Sequence, residues 1–427
     1  MNKILLLLII ASGFLVIFYA NSEFFSRKSL FALFQGNNNA ASVDNKSNDG
    51  KYNDISQVAA GGGGPAAAQP LIQHRSNNSN SYSNSNRVKY ISWRQNETSL
   101  YHHPHQHGAA ASLMLEHHIF VIYTKENYQL QQKFELFARS LLKFATIKLH
   151  LHIITDSKSE SSAEEILKQQ LRHYKKSMYY TLYDVHECAE RITDIVQAMM
   201  PFFSSNPSSY YSDALFYLSL GLHRLAEPHI ERAILIDCDV VFRADVRLLF
   251  DEFERFSPEN LFGLSPELTP VYRHILYRYR ANYPNTNFGS SYYPSSAALG
   301  APSLSGGNKH KHNKHIKHGY PGLNSGVVML HLRKIRLSQL YQENLKEVNV
   351  RKMANKYSFK GHLGDQDFYT LLGYEFPSLI YRLDCVWNRQ LCTWWKDHGY
   401  SEVFDTYFHC EGKIRLYHGN CNTRVPE

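Results

Sequence analysis

The apolar run Ala233-Ile234-Leu235-Ile236 ends on Asp237-Cys238-Asp239 and resumes as Val240-Val241-Phe242. No other stretch constrains the chain as much. Four apolar residues running into two carboxylates describe a buried strand that breaks at its C-terminal end and restarts after a polar kink. In a parallel sheet that end opens into the ligand crevice. Two aspartates one residue apart can aim their oxygens at a single divalent cation. Hard oxygen donors suit Mg²⁺ or Mn²⁺, which keep positions open for phosphate oxygens. The competing account is a surface turn with acidic caps, and the buried strand before Asp237 argues against it.

Near the N-terminus, Ile4–Ala20 carries no charge and is long enough to read as a membrane-spanning helix. Phe18 fits a cleavage site poorly, so residues 1–22 are expected to be a short tip and an uncleaved signal-anchor. Lys3 on one side and Arg27 and Lys28 on the other leave the orientation open. Residues 23–115 are rich in Asn, Ser, Gly and His, including Asn37-Asn38-Asn39 and Gly61–Gly64. Such a stretch buries too little apolar surface to offset its ordering entropy and reads as a stem. The sequons at Asn45, Asn77 and Asn96 all fall there, which suits a lumenal stem. Six cysteines point the same way: Cys385, Cys392, Cys410 and Cys421 cluster, while Cys188 and Cys238 stand apart. An even cluster suits two disulfides in an oxidising compartment. Three pairings are open, of which Cys385–Cys410 with Cys392–Cys421 is the expected one. A zinc site would call for a C-x₂-C pair, which the four lack. The net charge of +8 arises largely from local runs such as Lys309–Lys317 without interleaved aromatics, so nucleic acid is not an expected partner.

From 116 to 427 the pattern is that of one large α/β domain. Ile119–Tyr123 is a first strand, Phe134–Phe144 has helical spacing, and Leu149–Ile154 is a second strand, giving a parallel βαβ opening. Ser212–Leu225 carries Leu218, Leu222 and Leu225 on one helical face, with Ser212 and Asp213 as candidate caps. Asp245–Phe256 reads as an amphipathic helix. Alternating strands and helices imply a three-layer α/β fold. An insert at about 285–318 interrupts it with Ser, Pro, Gly and a His/Lys tract. Lysines interleaved with the histidines oppose a bound cation, so the insert is expected to be a disordered, dispensable loop.

Four further segments are specific: Leu323-Asn324-Ser325-Gly326, Leu363-Gly364-Asp365-Gln366-Asp367, Leu391-Cys392-Thr393-Trp394-Trp395 and His418-Gly419-Asn420-Cys421. With Asp237-Cys238-Asp239 they resemble, in this order, the D-x-D, L-N-S-G, D-Q-D and H-G motifs of the glycogenin-type (family 8) retaining glycosyltransferases. YRHILYRYR, GHLGDQDF, DCVWNRQLCTWW and YHGNCN are similar to the xyloside α-1,3-xylosyltransferases that extend xylosyl-glucose on EGF-like repeats. The resemblance runs from about Ile119 to the C-terminus, insert excluded.

It implies a GT-A, Rossmann-like fold with a type II membrane anchor, in the endoplasmic reticulum membrane with the Golgi as the other lumenal option. It implies transfer of xylose from UDP-xylose to EGF-like repeat glycoproteins such as Notch. Asp237, Asp239 and His418 would hold Mn²⁺, with Mg²⁺ weaker because it tolerates imidazole less well. Tyr123, Thr124 and Lys125 would hold the uridine. Asn324, Ser325 and Leu363 would shape the donor-sugar pocket, with Cys238 beside it between the two aspartates. Gln366 would lie beneath the anomeric carbon as a dipole for same-face attack, since an amide is a poor nucleophile. Asp365 would be the second catalytic group, in an orienting role shared with Asp367. Trp394, Trp395 and Asn420 would meet the acceptor, with one of the two rings expected in the core. The alternatives are a glucoside xylosyltransferase, a family-8 enzyme using UDP-glucose or UDP-galactose, and a lumenal lectin-like pseudoenzyme.

Overall fold

A computed structural model describes residues 88–92, 99–100, 117–204, 214–292 and 319–426. The expected anchor (4–20), all three sequons and the His/Lys tract lie outside them. Among the described residues no helix is long and apolar enough to cross a membrane.

The opening βαβ unit forms as its pattern requires. Strand β3 (His117–Tyr123) pairs in parallel with β4 (Leu149–Thr155), and helix α1 (Tyr128–Phe144) joins them. Asn127 caps α1 by accepting from the Leu130 amide at 3.0 Å. Phe134, Phe137, Ala138 and Leu141 lie buried on one face. After helix α2 (Glu160–His173), β5 (Ser177–Asp184) extends the sheet in parallel with β4. Helix α3 spans Thr193–Phe203. The helix expected over 212–225 is a 3₁₀ turn, Ala214–Tyr217, followed by α4 (Leu218–Leu225), while Ser212 and Asp213 lie outside the described residues. The amphipathic helix expected over 245–256 is also broken, into Arg247–Phe250 and a 3₁₀ segment, Asp251–Arg255. Phe250, Phe253 and Phe256 recur every third residue and contact one another in series. That spacing lines up in a 3₁₀ helix and drifts apart in an α-helix.

Strand β6 (Ala233–Ile236) is fully buried and pairs in parallel with β3 on one side. Its other neighbour is β9 (Leu323–Leu330), which runs antiparallel. Beyond β9 come β8 (Phe262–Pro266) and β10 (Ile380–Arg382). The nine-stranded sheet is mixed, in the order β10-β8-β9-β6-β3-β4-β5-β1-β2, where β1 is Val88–Ser92 and β2 is Ser99–Leu100. Its far edge corrects the expected boundary of the stem. β1 (Val88–Ser92) pairs antiparallel with β5, and β2 (Ser99–Leu100) with β1. Val88-Lys89-Tyr90-Ile91 has strand-forming residues inside an otherwise Asn/Ser-rich stretch.

A second sheet, β11 (Arg389–Gln390), β12 (Leu416–His418) and β7 (Val240–Phe242), stands at the C-terminal end of β6. Helix α5 (Asp365–Glu375) lies against β9, where Thr370 Oγ1 accepts from the Leu323 amide at 3.0 Å. The insert is shorter than expected. Phe288 stacks on Tyr374 at 4.3 Å and bridges to Tyr320, and Tyr407 donates to the Gly289 carbonyl. Residues 285–292 therefore belong to the packed domain.

Candidate active site

Both aspartates owe their place to strand ends. Asp237 follows β6, and its amide donates to the Gly326 carbonyl of β9 at 3.0 Å. Asp239 precedes β7, whose antiparallel partner β12 sets His418 opposite Val240. Residues far apart in sequence thus meet at one point. His418 Nε2 lies 3.5 Å from Asp237 Oδ2 and 3.4 Å from Asp239 Oδ1. The three ligating atoms lie within 4.8 Å of one another. Gly326 makes the space, because a Cβ there would fall 2.2 Å from His418 Cε1. Gly419 permits a second close approach, its amide donating to the Asp239 carbonyl at 2.8 Å. Lys133 of α1 stands 3.6 Å from Asp239 Oδ2.

Burial lowers the pKa of His418, but hydrogen bonds to Asp237 and Asp239 and their charges outweigh it and hold the imidazole up at about 10. To ligate a cation the ring must give up that proton. The donor set fits a hard divalent ion that accepts one imidazole: two carboxylates and one nitrogen, with octahedral positions left for diphosphate oxygens. His418 Nδ1 bonds Asn388 Oδ1 at 3.0 Å, the outer contact that leaves Nε2 for the ion.

Behind the metal ligands lies a buried polar chain. Asn388 Nδ2 donates to Asn324 Oδ1 at 2.8 Å, and Asn324 Nδ2 donates to Glu267 Oε2 at 2.9 Å. Gln366, buried in the first turn of α5, donates from Nε2 to the same Glu267 oxygen at 3.2 Å and to Tyr272 Oη at 3.3 Å. Its Oε1 accepts from the Ser325 amide at 3.3 Å. Asp365 accepts from Ser325 Oγ at 3.0 Å and from the Ser219 hydroxyl. Asp367 accepts from Tyr272 Oη at 3.0 Å and from the Leu363 amide at 2.7 Å. Burial pushes both carboxyls up to about 7 against these donors. Asp365 and Asp367 are thus tied down by hydrogen bonds.

The remaining expected residues divide. Tyr123 is a core side chain, its ring 4.6 Å from Phe134 and its hydroxyl on Ser162. Thr124 is buried, and Lys125, with φ +55°, donates its amide to Asp156. Cys238 is a half-buried free thiol. Trp395 is buried against His274 and Tyr400, whereas Trp394 is half-exposed and stacks on His398 at 3.7 Å. Asn420 Oδ1 accepts from the Leu391 and Cys392 amides, both at 2.9 Å, so its carbonyl clamps backbone. The disulfides are Cys385–Cys410 and Cys392–Cys421, the second joining this clamp to the segment after His418.

Glu267, Asn388, Tyr272 and Lys133 were not singled out in the sequence. Asn388 sits inside DCVWNRQ and Glu267 directly after the apolar strand Phe262–Pro266, the only signals they give. Among the described residues two other clusters carry potential ligands. His118, His150 and His152 are buried together, but His150 and His152 stack at 4.2 Å and 14°, so their in-plane lone pairs run side by side rather than converging. His152 is further engaged by His118 and Tyr183, both at 3.0 Å. In the cluster of Asp384, Cys385 and Cys410 the sulfurs are joined to each other.

Comparison with known proteins agrees with this geometry. Human xyloside xylosyltransferase 1 is 39% identical over 322 residues, 73% of this chain and 75% of that protein. The chain belongs to the xyloside xylosyltransferase family. The crystal structure of the mouse member in its apo form superposes with a TM-score of 0.63 at 38% identity, covering 73% of this chain and 99% of that one. Mouse xylosyl- and glucuronyltransferase LARGE2 is 26% identical over 267 residues, 62% of this chain and 30% of that protein. No protein-family model matches the chain. As a member of the xyloside xylosyltransferases the chain is a glycosyltransferase with a GT-A-type α/β sheet, and its D-x-D, H-G and D-Q-D segments meet at one end of that sheet.

Proposed function

We infer that this xylosyltransferase moves xylose from UDP-xylose, with retention, onto the xylose of xylosyl-α-1,3-glucose O-linked to serine in EGF-like repeats. Its catalytic unit would face the lumen of the endoplasmic reticulum, carried by a type II anchor at residues 1–22. The observation that carries the reading is the meeting of Asp237, Asp239 and His418, with Asn324, Ser325 and Gln366 hydrogen-bonded in the layer behind them. The kinship with human xyloside xylosyltransferase 1 supports the donor and the acceptor.

Each side chain then has work to do. Asp237, Asp239 and His418 would hold Mn²⁺, which supplies Lewis-acid stabilisation of the charge left on UDP. Lys133, beside Asp239, adds a cation to the same side of the cleft. Gln366 has no nucleophilic oxygen to offer, and Asp365 is held by Ser325 and Ser219. The acceptor hydroxyl would therefore attack on the face that UDP leaves, giving its proton to a diphosphate oxygen, and the product stays α-linked. Gln366 would supply a fixed dipole to the positive charge at the anomeric carbon.

The test is a donor panel of UDP-xylose, UDP-glucose, UDP-galactose and UDP-glucuronate, with a xylosyl-glucoside and a glucoside as acceptors, each with Mn²⁺ and with EDTA. Transfer from UDP-xylose to the xylosyl-glucoside alone, abolished by EDTA, is the expected result. Preference for another donor or for the plain glucoside would refute the assignment, and binding without turnover would indicate a lectin-like protein.

A further inference from the structure

Glu267 is a buried carboxylate that the reaction as described does not use, and its contacts are those of an orienting group. Oε1 accepts from the Thr269 amide at 3.0 Å and from Thr269 Oγ1 at 2.7 Å. Oε2 accepts from Asn324 at 2.9 Å and from Gln366 at 3.2 Å. Four donors thus converge on one carboxylate that is 3% exposed. Burial raises its pKa, and the donors oppose that rise.

Acceptor-only chemistry gives this arrangement its consequence. A side-chain amide can turn over, exchanging its oxygen and nitrogen at little steric cost. Gln366 faces two groups on its Nε2 side, Glu267 and Tyr272 Oη. Glu267 can only accept, and the Tyr272 hydroxyl proton is committed to Asp367 at 3.0 Å. The Gln366 NH₂ is therefore fixed on that side, and its carbonyl oxygen is fixed towards Ser325 and the cleft. That Ser325 bond is long, at 3.3 Å, and holds the amide weakly by itself. Asn324 is secured differently. Its Oδ1 already accepts from the Gly326 amide at 3.1 Å, so its orientation, and through Asn388 that of His418, survives without Glu267.

We propose that Glu267 is a positioning residue for sugar transfer, fixing which end of the Gln366 amide faces the donor sugar while leaving the metal ligands alone. The proposal rests on the reading of Gln366 as the group beneath the anomeric carbon. In Glu267→Gln a second amide replaces the carboxylate without change of shape, and Gln366 loses the charge that holds it.

The experiment is a double-mutant cycle on the full chain with Mn²⁺ and UDP-xylose. E267Q should lower kcat roughly 10- to 100-fold, the range ordinary for partners that orient a functional group from behind. KM for UDP-xylose and the affinity for Mn²⁺ plus UDP, read by calorimetry, should stay within about threefold. In a Q366A background E267Q should cost little more, because there is no amide left to orient. If E267Q lowers stability enough to cloud the result, Thr269→Val, which removes one anchor of the same carboxylate, should give a smaller loss of kcat with the same KM. Unchanged kcat in E267Q, or a full multiplicative loss in the Q366A background, overturns the proposal. Unchanged kcat in Q366A by itself overturns the reading of Gln366 and this proposal with it. A loss in Q366A without a loss in E267Q removes this proposal only.

Discussion

Gly326→Ala tests the metal site without replacing a ligand. An alanine Cβ would lie 2.2 Å from Cε1 and 2.5 Å from Nδ1 of His418. Carbon contacts settle near 3.5–4.0 Å, so something must retreat by about 1.3 Å. Neither side can move cheaply. Gly326 lies in β9, paired with β6, and its carbonyl holds the Asp237 amide at 3.0 Å. His418 is held by Asn388 and by the pairing of β12 with β7. Overpacking of this kind costs about 1–3 kcal/mol of stability. The larger effect falls on function, since a shift of about 1 Å in a positioned group can cost roughly 10²-fold in rate. Mn²⁺ titrations with UDP present, followed by calorimetry and by initial rates, should show weakened binding and a rate loss that excess Mn²⁺ only partly restores. A G326A protein that binds Mn²⁺ as the parent does and transfers xylose at the parental rate would refute the placement of His418.

The direct ligand changes are simpler. Asp237→Ala and Asp239→Ala should abolish transfer with little change in melting temperature, and full activity in EDTA would contradict both. Removing 293–318 and joining Tyr292 to Gly319 through a short linker should leave turnover nearly unchanged, because the backbone of Gly319 already adjoins Ser291 and long insertions change closure cost little. A large activity loss in that deletion would assign the insert to acceptor binding. Starting the deletion at Asn285 should instead destabilise the protein, as Phe288 and its stacking on Tyr374 go with it. Peptide mapping should recover Cys385–Cys410 and Cys392–Cys421, and Cys392→Ser with Cys421→Ser should cost roughly 2–4 kcal/mol. Gln366→Glu would set a second carboxylate about 3.2 Å from Glu267, so it should fold less stably and give no efficient double-displacement enzyme; a xylosyl adduct trapped by mass spectrometry on Asp365 or Asp367 of the parent enzyme would end the same-face mechanism.

What could be read from the sequence was what has a one-dimensional signature. The strand into Asp237 was plain because a fully buried strand is a run of apolar residues, and the βαβ opening because period and turn agree. His418 has no local mark of its function, and only its place in a family motif brought it forward. Glu267 and Asn388 stayed hidden for a physical reason: a buried acceptor carboxylate and a surface one are the same letter, and only three-dimensional neighbours tell them apart. The helix over 245–256 failed because aromatic packing every third residue outweighed α-helical amphipathicity. Val88–Ser92 was missed because three strand-forming residues, Val88, Tyr90 and Ile91, are too short a signal against a polar background.

The position of β1 towards the far side of the sheet sets where the chain at Val88 enters the catalytic domain. Four strand steps separate β1 from β6, through β5, β4 and β3. At about 4.8 Å per step β1 and the strand leading to the metal ligands are roughly 19 Å apart across the sheet. β1 is held in the sheet by its antiparallel ladder with β5, from Val88 opposite Thr181 to Ser92 opposite Ser177. A bulky folded acceptor that approaches the C-terminal end of β6 would therefore meet the cleft four strands away from Val88.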